Sequence, residues 1–179
     1  LIASRIPMGS LAVEECLRAK TTAESLAAMR PSFQLLAKTY EAALDGPIDH
    51  RHTVGHAPPM CDGAGLALIG GAPAPGERAR ARILAYAEAG GDPAASLLAG
   101  FTAMERALKQ AGLKLEEMDR VEFMEAFAVT IAKFLRDRDA DPARVNVSGG
   151  HLAKGHPMGA SGAILTSTLL DALDACGGR

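Results

Sequence analysis

At 179 residues the chain is long enough for one domain and part of another, and 48% hydrophobic with 22% charged residues is ordinary for a globular protein. A net charge of −2, with Arg78, Arg80 and Arg82 as the densest basic group, gives no electrostatic case for nucleic acid or an anionic membrane. Two Tyr, five Phe and no Trp leave no aromatic platform for stacked bases. No apolar run reaches the roughly 18–20 residues of a membrane span. Residues 1–15 lack the order of a signal peptide. Cys16, Cys61 and Cys176 are too dispersed for a disulfide framework. The expected location is the cytoplasm, where thiols stay reduced.

In chain order, Thr21 with Glu24 reads as a capping box for a short helix through Met29, stopped by Pro31. Gln34–Leu44 is a second helical candidate, and Asp45-Gly46-Pro47 a turn. Residues 49–61, DHRHTVGHAPPMC, read as a loop. Ala64–Ile69 reads as a short buried strand, followed by a Pro/Gly/Ala boundary over 70–76. Ala81–Ala89 is strand or helix by periodicity. Thr102–Ala111 is an amphipathic helix with Gly112 at its end. A strand over 120–123, a helix from Glu125 to Arg136, a turn at Asp141-Pro142, a strand over 145–147 and a helix from Pro157 to Leu173 complete the pattern. Strands alternating with helices predict an α/β fold.

Residues 149–163 read GGHLAKGHPMGASGA, five glycines around one His-Pro pair. A strand, a glycine-rich loop and a helix opened by Pro157 predict His156 at a helix N-terminus. The free N–H groups and dipole there disfavour imidazolium and suit a neutral base or donor. Gly155 lets the backbone turn, while Gly159, Ala160, Gly162 and Ala163 are small enough for another element or a ligand to approach closely. Catalysis, tight packing and a phosphate cradle all stay open on mechanics; neither standard nucleotide glycine motif is present.

The stretch VNVSGGHLAKGHPMGASGA closely resembles the histidine motif near the C-terminal end of thiolases. Asp62-Gly63-Ala64, Gly112-Leu113, the Asp119–Phe123 segment and Met124-Glu125-Ala126-Phe127 follow in the same order, Met124 standing where thiolases carry Asn. β-Ketoacyl synthases carry Thr after their Gly-His, so His-Pro favours thiolase. The resemblance covers about residues 20–175. It implies a layered αβαβα fold: residues 1–60 a remnant of the lid region, 61–78 the last strand of the N-terminal domain, and 79–179 the C-terminal domain without its final strands.

The implied chemistry is acyl transfer on 3-ketoacyl-CoA or acetyl-CoA, by thiolysis or Claisen condensation. CoA or acyl-CoA enters as substrate; no permanent cofactor and no metal is implied, and a homodimer or tetramer is expected. His50, His52, His56 and Cys61 match no established metal spacing. By position His156 resembles the base that activates a nucleophilic cysteine, with Met124 and Glu125 in the catalytic group. His56, Phe127, Gly155 and Ser161 fall on the substrate side, and Lys154 reads as a solvated lysine or a contact to CoA phosphates. The family Asn holds a water that helps bind an oxyanion, whereas a thioether accepts weakly and donates nothing. None of the three cysteines lies in the Cys-x-Ser-Gly context of the nucleophile, so this chain alone is expected not to turn over. The alternatives are a non-catalytic acyl-CoA- or lipid-binding relative of sterol-carrier type, or a relic fragment.

Overall fold

The structure, a computed structural model, describes residues 15–43 and 45–178. Helix α1, Ala23–Ala27, is capped by Thr22, whose hydroxyl accepts from the Ser25 amide at 3.1 Å. The Ser25 hydroxyl accepts from the Thr22 amide at 3.0 Å. The capping box is therefore one residue later than Thr21 and Glu24 suggested, because Ser25 supplies the returning oxygen. Helix α2, Gln34–Tyr40, runs into a 3₁₀ turn, Glu41–Ala43; its expected end at Leu44 lies outside the described residues. The 49–61 loop contains a 3₁₀ turn at Val54–His56.

The buried strand expected over 64–69 is not formed. These residues make no strand hydrogen bonds, and Leu66 is 96% exposed with Leu68 and Ile69 beside it in solvent. The segment 81–89 is likewise neither helix nor ladder, and Ile83, Leu84 and Tyr86 are exposed. A strand needs a neighbour to pair with as well as an apolar pattern, and none pairs with either segment among the described residues. What holds them is side-on contact. A Cβ at Gly63 would meet the Pro157 ring at 2.7 Å, and one at Gly65 the Ala163 methyl at 2.7 Å. The small residues after His156 thus admit the 63–65 segment. Farther on, the Arg80 guanidinium reaches Asp171 at 2.9 Å and Asp174 at 2.6 Å.

Helix α3, Ala99–Ala111, starts three residues before the expected Thr102 and ends at Gly112, whose φ of 67° is the left-handed C-cap that glycine provides. Helix α4, Ala128–Asp137, begins at Ala128 and not Glu125, because Phe127 is still extended and accepts from the Thr130 hydroxyl. A one-turn helix α5, His151–Lys154, stands in what the glycines suggested was pure loop. Helix α6, Ser161–Cys176, follows a 3₁₀ turn at Met158–Ala160 and ends on left-handed Gly177. Among the described residues no helix is long and apolar enough to cross a membrane.

The core lies between α3 and α4. Phe134 is completely buried, stacked on Phe123 with ring centroids 4.6 Å apart and tilted against Phe101 at 6.2 Å. Leu98, Met104, Leu115, Val121, Ile131 and Leu135 close around them. The two strands expected over 120–123 and 145–147 meet in one parallel bridge, Val121 with Val145. It stops there because Asn146 turns into the left-handed region, φ 46°, which asparagine tolerates better than most residues. Its side chain then takes the place of a strand backbone: Oδ1 accepts from the Phe123 amide at 2.7 Å, and Nδ2 donates to the Phe123 carbonyl at 3.0 Å.

Candidate active site

The Asn146 amide also donates to Glu125 at 2.7 Å, and the second oxygen of that carboxylate accepts from the Leu152 amide at 3.0 Å. Glu125 is only 8% exposed, and hydrogen bonds of this charged kind are among the stronger ones in proteins. The carboxylate therefore ties the start of α5 to the end of the Val121–Val145 bridge. It needs Gly150: a Cβ there would sit inside the Glu125 carboxylate.

Beyond α5 the chain turns at Gly155, φ 93°, where a Cβ would also collide with the Cys61 sulfur and crowd the Cys16 sulfur at 3.1 Å. His156 follows. Its amide donates to the Pro59 carbonyl at 2.9 Å, which docks the 53–61 loop against it. Its Nδ1 lies 2.6 Å from the hydroxyl of Ser161, which is 1% exposed. His156 is not the first residue of a helix as the sequence suggested. Met158, at φ 42°, and the 3₁₀ turn intervene before α6. The ring is oriented by Ser161, the first residue of α6, and the macrodipole reasoning falls with the helix start.

The His151 ring packs on the His156 ring, centroids 5.1 Å apart and planes tilted by 55°. Beside them is a cavity of about 110 Å³ whose walls include Cys61, Glu122, Gly150, His151, Lys154 and Thr168. Burial pushes the Glu122 carboxyl up to about 7; Lys154 opposes this and Glu125 adds to it. Burial likewise pushes the Lys154 ammonium down against the pull of Glu122 and Glu125. Lys154 is thus half-buried beside carboxylates, which corrects the solvated lysine of the sequence reading. Burial foremost, and then His156, push His151 down and keep it neutral.

The other sequence candidates, His56, Met124 and Phe127, are not among the residues that line this cavity. His56 Nδ1 accepts from the Thr53 amide at 3.0 Å and lies 3.2 Å from its hydroxyl, closing the Val54–His56 turn, with its ring edge-on to His52. Met124 and Phe127 are partly exposed before α4, and no bond that holds His156 involves them. Among the described residues no three His, Cys, Asp or Glu side chains are grouped to hold a metal. Sequence reasoning passed over Asn146, Glu122 and His151 as functional candidates. The first was legible as part of the Asn-x-x-Gly-Gly pattern; the other two become visible only when α5 folds over residue 122.

Residues 77–179 match the family model described as "Thiolase, C-terminal domain". An acetyl-CoA acetyltransferase of Pseudomonas aeruginosa is 41% identical over 160 residues, covering 88% of this chain and 37% of the relative. A mitochondrial 3-ketoacyl-CoA thiolase of Rattus norvegicus is 35% identical over 173 residues, covering 95% and 40%. The crystal structure of human mitochondrial 3-ketoacyl-CoA thiolase superposes with a TM-score of 0.75 at 31% identity, over 93% of this chain and 40% of that one. The same human protein in complex with CoA gives 0.73 at 30% identity. The chain therefore spans about two fifths of the length of the relatives it matches.

Proposed function

We propose, from the premise that this chain belongs to the thiolase family and has that family's layered fold, that it supplies the histidine side of a thiolase acyl transfer on 3-ketoacyl-CoA and acetyl-CoA. The observation that carries this reading is the buried bond between His156 Nδ1 and the Ser161 hydroxyl. With Ser161 accepting from Nδ1–H, the lone pair resides on Nε2, where it can take a proton from a thiol. The thiolate so formed attacks the 3-keto carbonyl, the bond from that carbon to the α-carbon breaks, the acyl group stays on sulfur as a thioester, and acetyl-CoA leaves as its enolate, whose uptake of a proton balances the one held by the imidazolium. Gly155 and the Pro59 contact fix the backbone from which this ring projects.

The nucleophile belongs to a Cys-x-Ser-Gly context that these 179 residues do not contain. The isolated chain is therefore expected to give no thiolysis of acetoacetyl-CoA. Fused between the N-terminal part and the final strands of the Pseudomonas aeruginosa relative, it is expected to support thiolysis, and His156→Gln to lower the rate by at least about 100-fold. Turnover by the chain alone sinks the assignment of the nucleophile; full activity of the fused His156→Gln variant sinks the role of His156.

The same reading assigns residues 1–60 to a lid remnant, 61–78 to the end of the N-terminal domain and 79–179 to the C-terminal domain. His56, Phe127, Gly155 and Ser161 belong to the substrate side, Met124 and Glu125 to the catalytic group. It further assigns a cytoplasmic place in fatty-acid or related acyl-CoA metabolism and a dimeric or tetrameric assembly. A second reading, acyl-CoA binding without turnover, is favoured by Met124, whose thioether cannot donate to a water or an oxyanion. Calorimetry on the fused protein with CoA and a thioether analogue of acyl-CoA separates the two: tight binding with no thiolysis selects the second.

A further inference from the structure

Four buried side-chain atoms have no hydrogen-bond partner among the described residues: both carboxylate oxygens of Glu122 and both ring nitrogens of His151, the ring that packs on His156. Both residues line the 110 Å³ cavity, and His151 is only 4% exposed. Leaving such atoms dry is unfavourable, and buried water is the usual remedy where a cavity is polar and roomy. Room exists here, since one water takes about 30 Å³ of liquid. Glu125 is committed to Asn146 and Leu152, and Ser161 to His156.

We propose that ordered water joins Glu122 and His151 into a proton relay that ends at His156, an assignment that rests on reading His156 as the base. The proton that His156 acquires passes through water to the Glu122 carboxylate, which becomes a neutral carboxylic acid, and returns by the same path; no electron pair is exchanged with any other reactant. His151 stays neutral throughout, donating one hydrogen bond and accepting one. The groups facing the pair are Lys154 and Glu125 around Glu122, and His156, Glu125 and Lys154 around His151, with Cys61 and Asp62 in the wall of the same cavity. Burial outweighs Lys154 and sets Glu122 at about 7, so the store fills and empties near neutrality.

The test is a pH titration by NMR of the full chain carrying ¹³C-carboxyl glutamate and ¹⁵N-imidazole histidine. One glutamate is expected to titrate with a midpoint of about 7, and that signal to vanish in Glu122→Gln. The His151 ring nitrogens are expected to shift with the same midpoint and to lose that step in Glu122→Gln, with His50 and His52 unchanged. Titration of Glu122 in the ordinary carboxylate range, or a His151 step that survives Glu122→Gln, overturns the relay. If Glu122→Gln does not fold, a crystal structure of the unsubstituted chain decides: water bonded to both Glu122 and His151 supports it, a dry cavity overturns it. Neither measurement uses substrate, so failure of the relay and failure of the thiolase reading are seen separately.

Discussion

Gly150→Ala tests the junction on which the site is built. The backbone there, φ −90° and ψ −173°, suits alanine, so no conformational strain enters. The added methyl falls on the Glu125 carboxylate, a group that is flexible in principle but buried and held by bonds of 2.7 and 3.0 Å. Moving it aside breaks both bonds. Net contributions of about 1.5–3 kcal/mol for each bond to a charged group give a loss of roughly 3–6 kcal/mol, out of a total that for most domains is about 5–15 kcal/mol. For a chain of this size that lowers the melting temperature by roughly 10 °C. Urea and thermal unfolding followed by far-ultraviolet circular dichroism read the effect. In a Glu125→Ala background the same substitution is expected to cost under about 0.5 kcal/mol, because the obstacle is gone. A Gly150→Ala loss below about 1 kcal/mol, or two losses that simply add, refutes the reasoning.

Three further outcomes follow from the geometry. Ser161→Ala in the fused enzyme frees the His156 ring and is expected to lower kcat roughly ten- to hundred-fold while leaving KM nearly unchanged; an unchanged kcat removes Ser161 as the orienting group. Phe134→Ala empties the centre of the core and is expected to cost about 3–5 kcal/mol in urea unfolding, and a much smaller loss means the α3–α4 seam collapses onto the gap. Glu122 holds its proton up to about 7 in the folded chain against 4.5 for the ordinary group, so the folded state binds more protons between those values. Its contribution is therefore full below pH 4.5 and is lost as pH rises through 7; urea midpoints at pH 5 and pH 8 should fall closer together in Glu122→Gln, and an unchanged gap contradicts the shift.

Apart from α5, the helices were legible to within a few residues because their signals are local: Gly112 and Gly177 end α3 and α6 from the left-handed region that glycine favours. The histidine was legible for a similar reason, since five glycines in fifteen residues mark a backbone that must pass close to other groups. The environment of that histidine was not legible. Glu122 looks like any polar residue on a short strand, and only the Glu125–Leu152 bond, 27 positions apart, brings α5 over it. The strands failed for a non-local reason as well. The apolar run Ala64–Ile69 reports a preference for burial, and pairing depends on a neighbour that the local pattern does not contain. At Val121 and Val145, where a partner is present, pairing begins, and the Asn146 turn limits it to one bridge.

The exposed apolar side chains from Leu66 to Tyr86 carry a thermodynamic signature. The heat capacity change of unfolding grows with the apolar area newly given to water. Leu66, Leu68, Ile69, Ile83, Leu84 and Tyr86 already show most of theirs in the folded chain, and the α3–α4 seam around Phe134 supplies the main change. Calorimetry should therefore record a heat capacity increment well below the usual value of about 12–15 cal/mol/K per residue. The stability curve is correspondingly flat, with a broad melt governed by one aromatic cluster.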